Sequence, residues 1–120
     1  MAVSQDFIAY VQELLAPAGV IRVKRMFGAA GVYVDELFFA LIDDDALYFR
    51  TDEESEAAFR EAGSAPFVYQ TGDGQQMQMA FWRAPAEAME GADEAAPWVR
   101  LGIEAALRKK AKKRPRKPKV

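Results

Sequence analysis

The fold is decided by Gly31–Arg50, a stretch in which apolar runs alternate with acidic turns: GVYVDELFFALIDDDALYFR. Short runs of β-favouring residues, separated by two or three turn residues, are typical of antiparallel strands joined as hairpins. The middle run, Leu37–Ile42, is apolar without alternation, which predicts a central strand covered on both faces. The acidic Asp35–Glu36 and Asp43–Asp45 are predicted to form the turns.

The flanking segments predict helices on either side of these strands. Apolar residues recur at helical spacing between an N-cap at Ser4 and a stop at Pro17 and Gly19. Thr51 and Glu54 have the spacing of a capping box. The further predicted elements are, in chain order, a helix over 4–16, a strand over 20–23, a helix over 51–62, strands over 67–70 and 77–82, a short helix over 85–90 and a last helix from Asp93.

The later predicted strand has a clean period of two. Met77, Met79 and Phe81 share one face, whereas Trp82 shares the other with Gln76 and Gln78, so one face is predicted to be core and the other wetter. The order α-β-β-β-β-α-β-β-α-α predicts an α+β fold of two layers, an antiparallel sheet of about five to six strands with helices packed on one face.

Composition fits one globular domain in a chain of 120 residues, because 51% of the residues are apolar and 12% are aromatic. There is no apolar run of membrane-spanning length, and the N-terminus does not resemble a secretory signal. We therefore expect a cytoplasmic protein without a membrane partner.

The chain has no cysteine and no histidine. Thiolate nucleophiles, disulfides, imidazole bases and the commonest metal ligands are therefore excluded. Asp43–Asp45 lacks the EF-hand pattern and is interpreted as a solvated turn. The glutamates of 53–61 are interpreted as helix-dipole partners. We expect no catalytic residues, no metal, no cofactor and no enzymatic activity.

The formal net charge of −2 hides two opposite regions. Residues 1–107 hold seven basic and all eighteen acidic residues, which gives −11, whereas 108–120 carry +9. We expect the first region to be the folded domain and the second a basic, disordered tail, although the last helix could continue to Lys113. The cations of the tail are Arg108, Lys109, Lys110, Lys112, Lys113, Arg114, Arg116, Lys117 and Lys119.

This tail is the candidate nucleic-acid-binding segment. Neutralising about five to nine phosphates would give a salt slope of roughly −4 to −8, without sequence preference. The alternatives are a solubilising tail and a tail that folds back on its own acidic domain. Arg22, Lys24 and Arg25 form a second local concentration of positive charge, with the first two predicted on one strand face and Arg25 on the other. They are candidates to supplement the phosphate contacts of the tail or to bind an acidic partner, and the alternative is charge balance against an acidic surface. The strand aromatics are interpreted as core, because a domain of charge −11 lacks the cations that a base-stacking sheet needs.

Several motifs resemble the N-terminal domain of the TfoX/Sxy family over about residues 4–107. The most specific is RMFGAAGVYV, Arg25–Val34, with Met26, Phe27, Gly28 and Gly31 as the signature. The spaced positions Phe39–Ile42, Leu47–Tyr48, Phe59, Gly63, Pro66–Phe67, Tyr69, Trp82, Pro85 and Trp98 fit the same pattern.

The resemblance implies an α+β domain with an antiparallel sheet and no established catalytic residues. The family is best known from regulators of natural competence, in which a helical domain related to DNA-binding modules follows. We expect a stand-alone domain here, with the basic tail in that place. Two positions depart from the family pattern: Ala29 replaces a glycine, and Glu36 replaces the glycine of an Asp-Gly turn. Since glutamate disfavours positive φ, we expect a longer or different turn at Asp35–Glu36.

The sequence therefore predicts a non-enzymatic regulatory or interaction domain whose tail contacts nucleic acid non-specifically. The alternative is a protein-binding, homodimeric module with no nucleic-acid role. A small-ligand binder or enzyme that uses carboxylates and tyrosine is a third alternative.

Overall fold

Six antiparallel strands form one sheet, and helices pack on one of its faces. The computed structural model describes residues 3–26, 28–70 and 72–113. The described helices are α1 (Gln5–Leu15), α2 (Glu56–Glu61) and α3 (Ala92–Lys113). The strands are β1 (Ile21–Met26), β2 (Ala29–Val34), β3 (Leu37–Asp43), β4 (Ala46–Arg50), β5 (Pro66–Gln70) and β6 (Gln76–Arg83). Two 3-10 turns span Ala16–Ala18 and Ala86–Met89. The strand order is β1-β2-β3-β4-β6-β5. The predicted α+β architecture is confirmed.

Helix α1 begins where the sequence places it. The Ser4 hydroxyl accepts a hydrogen bond from the Phe7 amide at 3.1 Å, which satisfies a donor that the first helical turn leaves free. The buried residues Ile8, Val11, Leu14 and Leu15 face the sheet side. The predicted amphipathic stripe is therefore core.

The two central hairpins have two-residue turns. Val34 pairs with Leu37 and Asp43 pairs with Ala46, which leaves 35–36 and 44–45 as the loops. All four loop residues have positive φ, between 48° and 64°, as the tight type I′ geometry requires. The expected longer or different turn at Asp35–Glu36 is wrong, because the twist of the paired strands imposes this geometry even on glutamate. Asp43 belongs to β3 and not to the turn.

A β-bulge in β3 shapes the main core. Phe38 pairs with Tyr33 and Ala40 pairs with Val32, so that Phe39 is the extra residue. Phe39 and Ala40 are therefore both buried on the helix side. Helix α3 lies close above the bulge, since a Cβ added to Gly102 would be 3.1 Å from the Phe39 carbonyl oxygen.

The helix-side core extends to the far strands. Trp82, predicted to share the wetter face of β6, is buried there, and Phe59 of α2 packs against Trp98 of α3 with ring centres 4.9 Å apart. The opposite face of the sheet carries a second buried cluster of Leu41, Phe67 and Phe81. Both faces of the sheet are therefore partly apolar, and we call the one opposite the helices the open face.

Candidate interaction surfaces

The basic segment begins as part of helix α3. The helix runs six residues past the expected boundary at Leu107 and ends at Lys113, so the expected disorder does not apply to residues 108–113. Lys109 and Lys110 are exposed. Lys112 and Lys113 lie in the last helical turn. Arg114, Arg116, Lys117 and Lys119 lie outside the described residues.

Arg108 is bound to the acidic domain. Its Nε donates to Asp52 Oδ2 at 2.5 Å and its terminal amino group donates to Asp52 Oδ1 at 3.0 Å, while Glu54 Oε2 lies 3.4 Å from the same Nε. The hydrogen bond from Arg108 lowers the pKa of Asp52 despite partial burial. It also raises the pKa of Arg108. Arg108 is thus paired with the acidic domain from within α3. The alternative of a tail that folds back on the domain stays a prediction.

Asp52 also begins the turn that leads into α2. Its Oδ1 accepts from the amides of Glu54 and Ser55, both at 3.1 Å, and the Ser55 hydroxyl accepts from the Asp52 amide at 3.1 Å. This reciprocal pair has the hydrogen-bond pattern of a capping box, in the turn that precedes the first residue of α2, Glu56. The predicted pairing of Thr51 with Glu54 is wrong by one residue, because Thr51 is buried next to the sheet and Asp52 is the first residue free to turn.

The three strand cations do not form one patch. Arg22 pairs with Tyr33 across the β1–β2 ladder, and Lys24 has the same parity, so both belong to the open face. Arg25 lies on the opposite face, as predicted, and donates to the Val3 carbonyl at 3.1 Å and to Gln5 Oε1 at 3.2 Å. Arg25 therefore fastens the segment that precedes α1.

One signature glycine, Gly28, has a backbone conformation that favours glycine. Gly28 has φ of 80°, beside the closing pair Met26–Ala29 of the β1–β2 hairpin. Gly31 lies within β2 between Lys24 and Leu41. The signature Phe27 lies outside the described residues.

An aromatic row crosses the open face. Tyr33 stacks on Phe38 with ring centres 5.1 Å apart, and Phe38 lies 5.2 Å from Phe81. Tyr48 meets Phe67 edge-on at 4.9 Å. Phe67 and Phe81 are buried, whereas the other three rings are partly exposed. The interpretation of strand aromatics as core therefore holds for some of them and not for all.

Arg50 lies in the middle of this row, and the sequence analysis did not identify it. The residue is only 8% exposed. Its Nε donates to the Phe38 carbonyl at 2.7 Å, and its guanidinium carbon lies 5.1 Å from the Phe38 ring centre and 4.7 Å from that of Phe81. Burial is the main cause that lowers the pKa of Arg50, and nearby Tyr33 opposes it. Among the described residues it has no carboxylate partner.

Positive charge collects on the open face despite the overall acidity of the domain. Arg50 pairs with Phe81 and Arg83 pairs with Tyr48 in the strand register, so both arginines share this face. Together with the two cations of β1, the open face holds four of the seven basic residues of 1–107, against the strand carboxylate of Asp43 at its edge. The argument that an acidic domain leaves its sheet without cations is therefore wrong, since the acids lie largely in turns and helices.

Asp45, in the acidic turn at residues 44–45, has a structural role. Asp45 Oδ1 accepts a hydrogen bond from the Ser4 amide at 2.8 Å, which ties the second hairpin to the start of α1. In the described part of the chain no three acidic side chains are grouped so as to hold a metal ion. No helix in the same part is long and apolar enough to span a membrane.

Comparison with known proteins agrees with the family resemblance of the motif in β1 and β2, Arg25–Val34. No curated protein matches the chain. The family model of the TfoX N-terminal domain matches residues 13–106. The match begins near the end of α1, contains all six strands and ends within α3. The chain therefore belongs to the TfoX N-terminal domain family.

Proposed function

We propose that this chain is a non-enzymatic regulatory or interaction domain that contacts nucleic acid without sequence preference through the basic end of α3 and the tail beyond it. Membership of the family supports the regulatory or interaction role. The observation that carries the nucleic-acid contact is the position of Lys109 and Lys110, exposed directly after the anchored Arg108.

The anchor gives the basic segment a defined origin. Arg108 is held by Asp52, and α3 continues as a helix to its last described residue, Lys113. The eight cations that follow Arg108 in the sequence supply the charge that displaces counterions from a phosphate backbone. Glu53 and Glu56 line a shallow groove together with Lys109, so these acids compete with phosphate for the nearest lysine.

A truncation after Arg108 tests the proposal and keeps the ion pair with Asp52. Binding of labelled single-stranded and double-stranded oligonucleotides is measured by fluorescence anisotropy over a range of salt concentrations. The full chain is expected to show a salt slope of about −4 to −7, if five to eight phosphates are neutralised. The truncated chain, with an unchanged melting temperature, should lose this dependence. Binding that survives truncation, or that does not respond to salt, contradicts the proposal.

A matched pair of double variants locates the contact. K109Q/K110Q removes two charges at the end of α3, and R22Q/K24Q removes two on the open face. The first is expected to reduce the magnitude of the salt slope by about 2, because each lost phosphate contact changes it by about 0.9. The second should leave the slope unchanged.

The second candidate function is a homodimeric protein-binding module with no nucleic-acid role. The partly exposed rings of Tyr33, Phe38 and Tyr48 on the open face favour it, since no described helix packs there. Light scattering after size exclusion separates the two proposals. A dimer that the Arg108 truncation retains, in a protein without oligonucleotide affinity, supports the second.

A further inference from the structure

We propose that Arg50 is the anion-recognition residue of a ligand site on the open face, for a small molecule whose carboxylate or phosphate group is attached to a planar apolar body. The proposal does not depend on the basic tail, because Arg108, Lys109 and Lys110 belong to α3 on the other side of the sheet. It rests on the burial of Arg50, its missing acidic partner and the rings around it.

Arg50 is buried in a way that folding alone does not explain. A buried charge is ordinarily paired, because removal from water is costly. The exposed Arg60 has a carboxylate partner even though it is not buried: it lies over the Trp82 ring at 5.4 Å and pairs with Glu56 at 3.0 Å. Arg50 has the ring contacts and one backbone carbonyl but no carboxylate among the described residues. The missing partner is therefore an anion that the described residues do not supply.

The hydrogen bonds of the guanidinium define the shape of that anion. Nε is used by the Phe38 carbonyl, which leaves the two terminal amino groups of Arg50. The wholly buried, unpaired side-chain atoms of the described residues are those of Thr51 and Trp82, and the amino groups of Arg50 are not among them. Both amino groups therefore retain access to the surface. Two adjacent amino groups fit two oxygens of one carboxylate or phosphate.

The surrounding rings define the rest of the ligand. The guanidinium is held between Phe38 and Phe81, and Tyr33 continues the row beyond Phe38. Tyr33 and Phe38 are partly exposed and offer an apolar surface beside the charge, on which a planar group can stack. Arg22 and Lys24 lie at the other end of the row, around a shallow groove that Tyr33 and Glu36 also line. Two cations against one carboxylate leave a net positive charge at that end.

The test uses the full chain, labelled with ¹⁵N, and four small probes. Benzoate and phenyl phosphate carry the anion on a planar body, while acetate and inorganic phosphate carry it alone. Benzamide is the uncharged control. We expect saturable shifts of the Arg50 Nε–H and of the amides near Phe38 and Phe81, with dissociation constants on the order of millimolar for probes of this size. The stronger of benzoate and phenyl phosphate identifies the anion, and benzamide should not bind.

Three variants decide the role of Arg50. Arg50→Met should weaken binding of the better probe at least about tenfold, the loss expected for a charge-assisted hydrogen bond. Arg50→Lys keeps the charge but loses the two adjacent amino groups that fit two oxygens of one anion, and it should also weaken binding. Arg60→Met, which removes an arginine that already has a carboxylate partner, should leave binding unchanged. The melting temperature of Arg50→Met should stay close to that of the parent, because removal of an unpaired buried charge offsets the loss of the hydrogen bond to Phe38 and of the ring contacts.

The contrary outcomes are equally defined. Absence of saturable shifts with all four anions well above the millimolar range overturns the site. Binding that Arg50→Met or Arg50→Lys retains at full strength shows that the anion binds elsewhere. If Arg50→Met does not fold, Arg50 is structural after all, and only weakened binding to a folded Arg50→Lys would sustain the proposal.

Discussion

Arg108 of α3 and Asp52, at the start of the turn into α2, form a two-hydrogen-bond ion pair across 56 residues of sequence. The pair joins the last helix to the segment that follows the central strands. Asp52 simultaneously accepts from two backbone amides of the turn. One carboxylate therefore caps the turn and holds the C-terminal part of α3.

Removal of either partner should destabilise the domain. Asp52→Ala loses the cap as well as the ion pair, and a cap alone contributes about 1 kcal/mol to the free energy of unfolding. Arg108→Gln loses only the ion pair and should have the smaller effect. Urea denaturation measures both. Glu54→Gln is the control, because Glu54 is exposed and more distant from Arg108, and an effect of Glu54→Gln as large as that of Arg108→Gln would contradict a specific role for Asp52.

The stabilisation by Asp52 should depend on pH with a defined sign. The folded state holds the pKa of Asp52 below its ordinary value of 3.8, so its contribution is complete above that value and is lost as the pH falls through the folded pKa. The difference in the free energy of unfolding between the parent and Asp52→Asn is therefore expected to be constant above about pH 5 and to shrink on acidification. A difference that grows as the pH falls would reverse the assignment. In an Arg108→Gln background the same comparison should give a smaller difference.

The strands and the first helix could be predicted from residues that are neighbours in the sequence. The contacts that define the candidate sites could not, because they join residues that are far apart in the chain. The Ser4 cap and the acidic turns can be identified from adjacent residues. The position of Arg50 between Phe38 and Phe81 cannot, because it requires β6 to insert between β4 and β5 in the sheet. The alternation of side chains along β4 does place Tyr48 and Arg50 on one face. A cation at position 50, in an otherwise apolar strand, was the sequence feature that could have identified Arg50 as a candidate residue.

The burial of Trp82 illustrates the same limit. A period of two identifies two faces of β6 but does not say which one meets the helices. Phe81 lies in the open-face cluster and Trp82 in the helix-side core. The glutamines of β6 made the Trp82 face look polar in the sequence. Both faces of this sheet bury apolar side chains, so the glutamines did not identify the solvent side.

Gly102 is predicted to set the distance between α3 and the sheet. Its added Cβ would lie 3.1 Å from the Phe39 carbonyl oxygen and 3.4 Å from Phe49 Cδ1. Alanine is favoured over glycine in a helix by about 1 kcal/mol, but overpacking costs about 1–3 kcal/mol. Gly102→Ala should therefore lower the free energy of unfolding. Glu104→Ala, at an exposed position of the same helix, is the control and should change it by less than about 0.5 kcal/mol, while a stabilised Gly102→Ala would show that α3 can move away from the bulge.

The β2–β3 turn should be improved by the residue that the family pattern has there. Glu36 is exposed and has φ of 64°, a left-handed conformation that costs a side chain about 1–2 kcal/mol. Glu36→Gly removes this cost but adds about 0.5–1 kcal/mol of unfolded-state entropy, so a net gain of roughly 0.5–1 kcal/mol is expected in thermal or urea unfolding. Glu36→Ala removes the same charge and keeps the Cβ, and should give no gain. Asp45, with φ of 56°, is the matched turn position in the next hairpin, but it accepts from the Ser4 amide, so Asp45→Gly should destabilise the domain. Equal effects of glycine and alanine at position 36 would show that charge, and not backbone conformation, governs this turn.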